Sequence, residues 1–146
     1  MAILHLRCGA DILIDDADLP KVSGYAWRID KDGYARATIN FNNVLLHRFV
    51  MGAEAGQIVD HRNRLRTDCR RTNLRFATPL QNTVNAGMRR DNTSGFKGVT
   101  WARHANQWRC QIKAMGRYVF LGYFDQAEIA ARAYDRKAQE LFGEFA

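Results

Sequence analysis

The chain has little of several things. Its 146 residues include three cysteines and two prolines. Cys8, Cys69 and Cys110 are odd in number, widely spaced and form no Cys-x-x-Cys pair, which argues against a disulfide framework and against a zinc knuckle. No apolar run approaches the ~18 residues of a membrane span, and the first residues have neither the basic nor the apolar stretch of a signal peptide. A cytoplasmic protein of a bacterial or phage-infected cell is expected, with no membrane partner. Acidic residues are also scarce: 15 against 22 lysines and arginines, a net charge of +7 and a pI near 9.7. Six basic and six acidic residues fall in 1–50, eight and four in 51–94, and eight and five in 95–146. The positive excess therefore sits in the last two thirds, where it favours a polyanionic partner.

What is present reads as an α+β chain. Ala2 to Leu6 and Ile12 to Ile14 are short β-prone pieces separated by Cys8-Gly9-Ala10-Asp11, and Asp15 to Pro20 opens a short helical turn. Tyr25 to Ile29 and Tyr34 to Ile39 flank Asp30-Lys31-Asp32-Gly33, whose Asp-Gly step signals a hairpin. A β-rich lobe over 1–50 follows, with Val44 to Val50 leading out of it and carrying His47 and Arg48.

Residues 57–85 hold the densest chemistry. Ile58 and Val59 are β-formers and bring Asp60 and His61 to a strand end; Leu74 to Ala77 suit a second strand. Thr78, Pro79 and Gln81 have the spacing of a capping box with proline at the first helical position. This β–β–α order puts Asn82 on the first helical turn and Asn85 one turn on. A carboxylate and an amide are hard oxygen donors of the kind Mg²⁺ takes, with water and phosphate completing the octahedron. His61, alternating to the other side of the strand, is placed to take a proton from water.

At Asp60-His61, Asn73-Leu74-Arg75 and Thr78-x-x-Gln81-Asn82 the segment resembles the HNH endonuclease family, in the branch where an asparagine replaces the last histidine. The resemblance implies Asp60 and Asn82 as ligands of a divalent cation, Mg²⁺ or Mn²⁺. It implies His61 as the general base and Asn73 as a brace for the connecting loop. Relatives carry a glycine-containing turn after Asp-His; this chain has Arg62, Arg64 and Arg66. With Arg70 and Arg71 these form either a solvated face or a DNA-backbone contact. His47 is read either as phosphate contact or active-site support, or as a packed or surface histidine.

Residues 89–94 read as a linker between a nuclease unit over 51–88 and a module over 95–146. In that module three alternating segments, Phe96 to Arg103, Trp108 to Met115 and Arg117 to Phe124, precede a helix expected over 126–142 with Asp125 and Glu128 as its cap. Lys97-Gly98-Val99, Trp108, Phe120 to Asp125 and Ala130 to Asp135 resemble the DNA-binding domain of plant ethylene-response factors, the Apetala-two fold: three antiparallel strands backed by one helix. By that resemblance Lys97, Thr100, Arg109, Gln111, Lys113, Tyr118 and Phe120 face DNA, and Trp108 serves structure. For Tyr118 and Phe120 core packing is the competing reading. The whole implies a metal-dependent endonuclease acting on double-stranded DNA, a monomer that nicks one strand. The alternative is a non-catalytic DNA-binding regulator with a degenerate nuclease scaffold.

Overall fold

The computed structural model describes residues 1–88 and 91–145, so Arg89 and Arg90 of the expected linker lie outside the described residues. The chain divides into two compact units, Met1–Pro79 and Leu80–Ala146.

In the first unit β1 (Ala2–His5) and β2 (Asp11–Ile14) form an antiparallel hairpin. A single-turn helix α1 (Leu19–Val22) follows, with Pro20 in its first turn. Then β3 (Arg28–Ile29), β4 (Ala35–Ile39) and β5 (Asn42–Leu45) make a three-stranded meander in the order β3-β4-β5. The Asp-Gly hairpin is present: Asp30 Oδ1 accepts from the backbone N–H of Asp32 at 2.9 Å and of Tyr34 at 3.0 Å, and Gly33 takes a positive φ of 82°. At the other end of β4 the turn has only two residues, Asn40 and Phe41, both with positive φ. Such a conformation costs a bulky residue on the order of 1 kcal/mol or more.

Beyond β5 the chain turns into helix α2 (Leu46–Met51), an element the sequence patterning did not suggest. Leu46 and Val50, four residues apart, are buried on one face, and Gly52 ends the helix in the left-handed region. Arg48 closes the following loop by donating to the carbonyls of Glu54, at 2.7 Å, and Gln57. Strands β6 (Ile58–His61) and β7 (Leu74–Ala77) then pair antiparallel, and α3 (Pro79–Asn85) begins at the boundary of the units.

One core runs through this unit across residue 50. Ile12, Ile14, Trp27, Leu46, Val59 and Leu74 all belong to it. The arginine-rich connection between β6 and β7 is stitched to β2, because Leu13 N–H donates to Thr67 O at 2.8 Å and Cys69 N–H to Leu13 O at 2.9 Å. Arg71 ties the same connection to two helices. Its guanidinium reaches both oxygens of the buried Asp18, at 2.7 and 2.8 Å, and the Val50 carbonyl at 2.6 Å. That pairing is the chief reason the Asp18 carboxyl is held below the usual carboxylate range.

The second unit contains β8 (Val99–Ala102), β9 (Gln107–Ala114) and β10 (Arg117–Phe124), antiparallel in the order β10-β9-β8, and helix α4 (Ala127–Phe142). The three alternating segments of the sequence are these strands. Ala127, Ala130, Tyr134 and Ala138 of α4 bury against Val99, Cys110 and Ile112. Near the helix end Leu141 is 37% exposed, and Phe142 packs against the core. The expected cap differs too. Gln126 is the N-cap residue and makes no side-chain cap bond, while Asp125 accepts from Gln107 Nε2 at 2.8 Å. Gly98, at φ 72°, lies so close to α4 that a Cβ there would overlap the Tyr134 ring and the Gln111 carbonyl.

Two substitutions test these joints. Arg71→Ala leaves Asp18 buried without its fork and is expected to destabilise the first unit by about 2–3 kcal/mol in urea unfolding, with Arg71→Lys recovering only part of it. Gly98→Ala is expected to unfold or severely destabilise the second unit, by about 3 kcal/mol or more, because it combines overlap with a left-handed backbone. Each effect should appear in the near-UV signal of the unit concerned.

Candidate active site and nucleic-acid interface

The register of β6 and β7 sets Asp60 opposite Arg75 and His61 opposite Leu74. Directly opposed residues share a face of a sheet. Arg75 Nε and Nη2 each lie 3.0 Å from Asp60 Oδ2, and the two residues are 6% and 7% exposed. A carboxylate oxygen can accept more than one partner, so this pairing fixes the orientation of Asp60 while the group keeps the donor chemistry of a hard-cation ligand.

His61 points to the opposite face of the strand, into an aromatic cluster. Its ring centroid is 4.9 Å from that of His47 and 6.0 Å from that of Tyr34, and Tyr34 and His47 are 5.3 Å apart. The Arg66 guanidinium lies 4.7 Å over the other contact of the cluster, the Tyr34 ring, and donates to the Asp32 carbonyl. His47, on α2, is therefore a buried neighbour of His61 and not a surface histidine. Burial is the main cause that lowers both imidazoles from their ordinary value, His47 to about 3. Both are neutral near pH 7, the form in which an imidazole nitrogen accepts a proton.

Asn73 spans the connection between the strands. Its Nδ2 donates to Asp68 O at 2.8 Å, its Oδ1 accepts from Asn63 N–H at 3.0 Å, and its carbonyl accepts from Arg62 N–H at 2.8 Å. Asp68, also buried, receives Asn63 Nδ2 at 2.8 Å and Arg70 at 2.6–2.7 Å. The arginine run is thus divided by role. Arg70 and Arg71, for which a solvated face and a DNA-backbone contact were both open, pair with Asp68 and Asp18 while their side chains stay 34% and 48% exposed; Arg62, Arg64 and Arg66 are exposed, Arg64 in a turn at φ 63°. The turn after Asp60-His61, for which the resemblance implies a glycine, has the non-glycine Arg64 in the left-handed region.

Asn82 is an exposed residue of α3 within the second unit, and Asp60 belongs to the first; each unit is described by itself. Among the described residues no group of three or more His, Cys, Asp and Glu could hold a metal ion. The Asp60 carboxylate is a hard oxygen donor of the kind a magnesium-type ion takes while keeping several waters. The two buried thiols are poor nucleophiles: burial pushes the Cys69 thiol up to about 12 and that of Cys110 to about 11.

In the second unit the strand face away from α4 carries exposed Thr100, Arg109, Lys113, Tyr118 and Phe120, with Gln111 half-buried. Tyr118 and Phe120 are 66% and 51% exposed, so neither is a core residue. Lys113 pairs with Tyr118 and Gln111 with Phe120 across the strands. The Lys113 ammonium is 5.8 Å from the Tyr118 ring and the Arg109 guanidinium 6.0 Å from the Phe120 ring. Trp108 is partly buried against the core. Lys97 is differently placed: its ammonium donates to the carbonyls of Val84 and Ala86 at the end of α3. That is the position where a cation complements a helix C-terminus.

No family model and no solved structure matches the chain. An uncharacterized HNH endonuclease of Acanthamoeba polyphaga mimivirus is 33% identical over 133 residues, covering 87% of this chain and 68% of that protein. The chain belongs to the HNH endonuclease family. Protein 3.8 of Escherichia phage T7 is 38% identical over 74 residues, 51% of this HNH chain and 60% of the phage protein. The AP2-like ethylene-responsive transcription factor TOE2 of Arabidopsis thaliana is 44% identical over 54 residues, 37% of this chain and 11% of the plant protein. Part of the chain is thus similar to a plant transcription factor as well, and no helix among its described residues is long and apolar enough to cross a membrane.

Two participants in this HNH-family site carry no local sequence signal for their role. Tyr34 reaches His61 only through the hairpin fold, whereas the pairing of Arg75 with Asp60 follows once β6 and β7 are put in register.

The histidine pair has a consequence for stability. Unfolded, both imidazoles titrate near 6.5; folded, both bind protons less readily. Stability is therefore fully present above pH 6.5 and falls as the pH drops from 6.5 toward about 3. For one imidazole held neutral throughout, the loss between pH 7 and pH 5 is about 2 kcal/mol. Urea unfolding at those two pH values should show it for the wild-type chain and show less for His47→Gln.

Proposed function

We propose that the chain is a metal-dependent DNA endonuclease that nicks one strand of a duplex, positioned by the β8–β10 face. The observation that carries this reading is the division of labour at the end of β6: a carboxylate oriented by Arg75 on one face, and a neutral imidazole wedged between Tyr34 and His47 on the other. Asp60 would be a ligand of Mg²⁺, or Mn²⁺, which when bound supplies charge stabilisation at the phosphate and the departing oxygen. His61 takes a proton from water as the water oxygen bonds to phosphorus. The bond from phosphorus to the 3′ oxygen breaks and that oxygen is protonated from solvent, which yields 5′-phosphate and 3′-hydroxyl ends. Asn73 keeps the connection closed behind the site. His47 supports the general base, and Arg62, Arg64 and Arg66 face the backbone of the substrate.

Arg109 and Lys113, each beside an exposed aromatic ring, combine charge for phosphate with flat surface for bases on a sheet of the kind that enters a major groove. Thr100 and Gln111 lie on the same face. One such site aligns one water with one phosphate, so a monomeric protein acting in a host cytoplasm would accumulate open circles before linear plasmid. A second reading, a non-catalytic DNA-binding regulator, is favoured by the higher identity, 44% over 54 residues, to a plant transcription factor.

Supercoiled plasmid with Mg²⁺ or Mn²⁺ separates the two. His61→Ala is expected to slow nicking roughly a hundredfold or more with DNA affinity nearly unchanged. Equal conversion by wild type and variant would leave the regulator reading. Arg109→Ala with Lys113→Ala should flatten the salt dependence of binding by about two phosphate contacts, and an unchanged slope would remove the sheet from the interface.

A further inference from the structure

The tip of the β4–β5 hairpin is built against its own conformational preference. Ile39 pairs with Asn42, so Asn40 and Phe41 alone make the turn, with φ of 47° and 65°. The second position of such a turn suits glycine best, and a phenylalanine there is strained. Burial does not compensate for it. The Phe41 ring is 102% exposed, the most exposed large hydrophobic side chain among the described residues. Neither local propensity nor core packing accounts for an aromatic ring at this place, and an observed strain of this kind points to function.

The surroundings indicate the partner. Thr38, Asn40, Asn42 and Asn43 are all exposed around the ring. From Gly33 to Ala53 the chain has no acidic residue, and Arg36 and Arg48 are its only lysines or arginines. A projecting two-stranded ribbon that presents an apolar ring between uncharged amides, with nothing to repel phosphate, has the chemistry of a minor-groove wedge. Amides hydrogen-bond to base edges there and an apolar side chain enters between base pairs.

We propose that Phe41 is a wedge that inserts between adjacent base pairs of duplex DNA from the minor groove, with Asn40 and Asn43 reading the groove beside it. The inference rests on the reading of the chain as a DNA endonuclease. Insertion unstacks one base step and so unwinds the duplex locally, a property independent of knowing the target sequence.

The test is unwinding. Closed circular plasmid is relaxed by a metal-independent type I topoisomerase in EDTA, with wild-type protein, Phe41→Gly or Phe41→Asn at equal DNA occupancy, and the topoisomers are resolved after protein removal. Wild type is expected to shift the distribution and both variants to lose at least half of that shift. Phe41→Gly should also melt higher by roughly 3–8 °C, because glycine relieves the left-handed strain. Equal shifts by all three proteins, or no shift by bound wild type, would overturn the wedge while leaving the nuclease reading intact. A wild-type chain that neither binds nor nicks plasmid would remove both. If wild type sedimented as a dimer that Phe41→Gly dissociates, the ring would belong to a contact between copies and the proposal would be wrong.

Discussion

Asp60 and Arg75 face each other across two short strands with almost no water around them, and much of the first unit follows from that pair. Removing either partner strands a buried charge, a loss of the order of 3–5 kcal/mol in comparable cases. The pair therefore locks β6 and β7 in register, since a slip of one residue would send Asp60 and Arg75 to opposite faces. The same register sends His61 to the face where Tyr34 and His47 close over it. A buried ion pair and a buried imidazole are thereby two outcomes of one strand alignment.

Around that alignment the connection from Arg62 to Asn73 would be a long irregular loop if it stood alone. It is instead held at three points: by backbone bonds to Leu13, by the Asp68 and Asn73 network inside it, and by Arg71 reaching Asp18 and the Val50 carbonyl. This explains why an arginine-rich stretch is not simply an electrostatic patch. Two of its arginines fasten buried carboxylates while staying partly exposed, and Arg62, Arg64 and Arg66 are exposed beside them.

How much of this was legible in the residues depends on whether the signal is local. Alternation and turn chemistry suffice for β8, β9 and β10, for the Asp30–Gly33 hairpin, and for the two exposed aromatics Tyr118 and Phe120 once the opposite face is taken by Cys110 and Ile112. Proline and capping spacing suffice to begin α3 at Pro79. Helix α2 was missed because Leu46 and Val50 read equally well as a short apolar run, and only the core decides between the two. The roles of Tyr34, Arg70, Arg71 and Lys97 were not legible, because each depends on a partner distant in sequence or on a helix end that the arginine run conceals. Asp125 looked like a cap by spacing alone and lost that role to a bond with Gln107.

The central proposal is that the Asp60 carboxylate, on β6, is a ligand of a divalent cation. Electron paramagnetic resonance of Mn²⁺ measures this directly, because the signal of the free ion disappears on binding. In the presence of duplex DNA the wild-type chain is predicted to remove one Mn²⁺ per protein from the free signal, and Asp60→Ala to remove none. Wild-type binding left unchanged by the substitution would contradict the account.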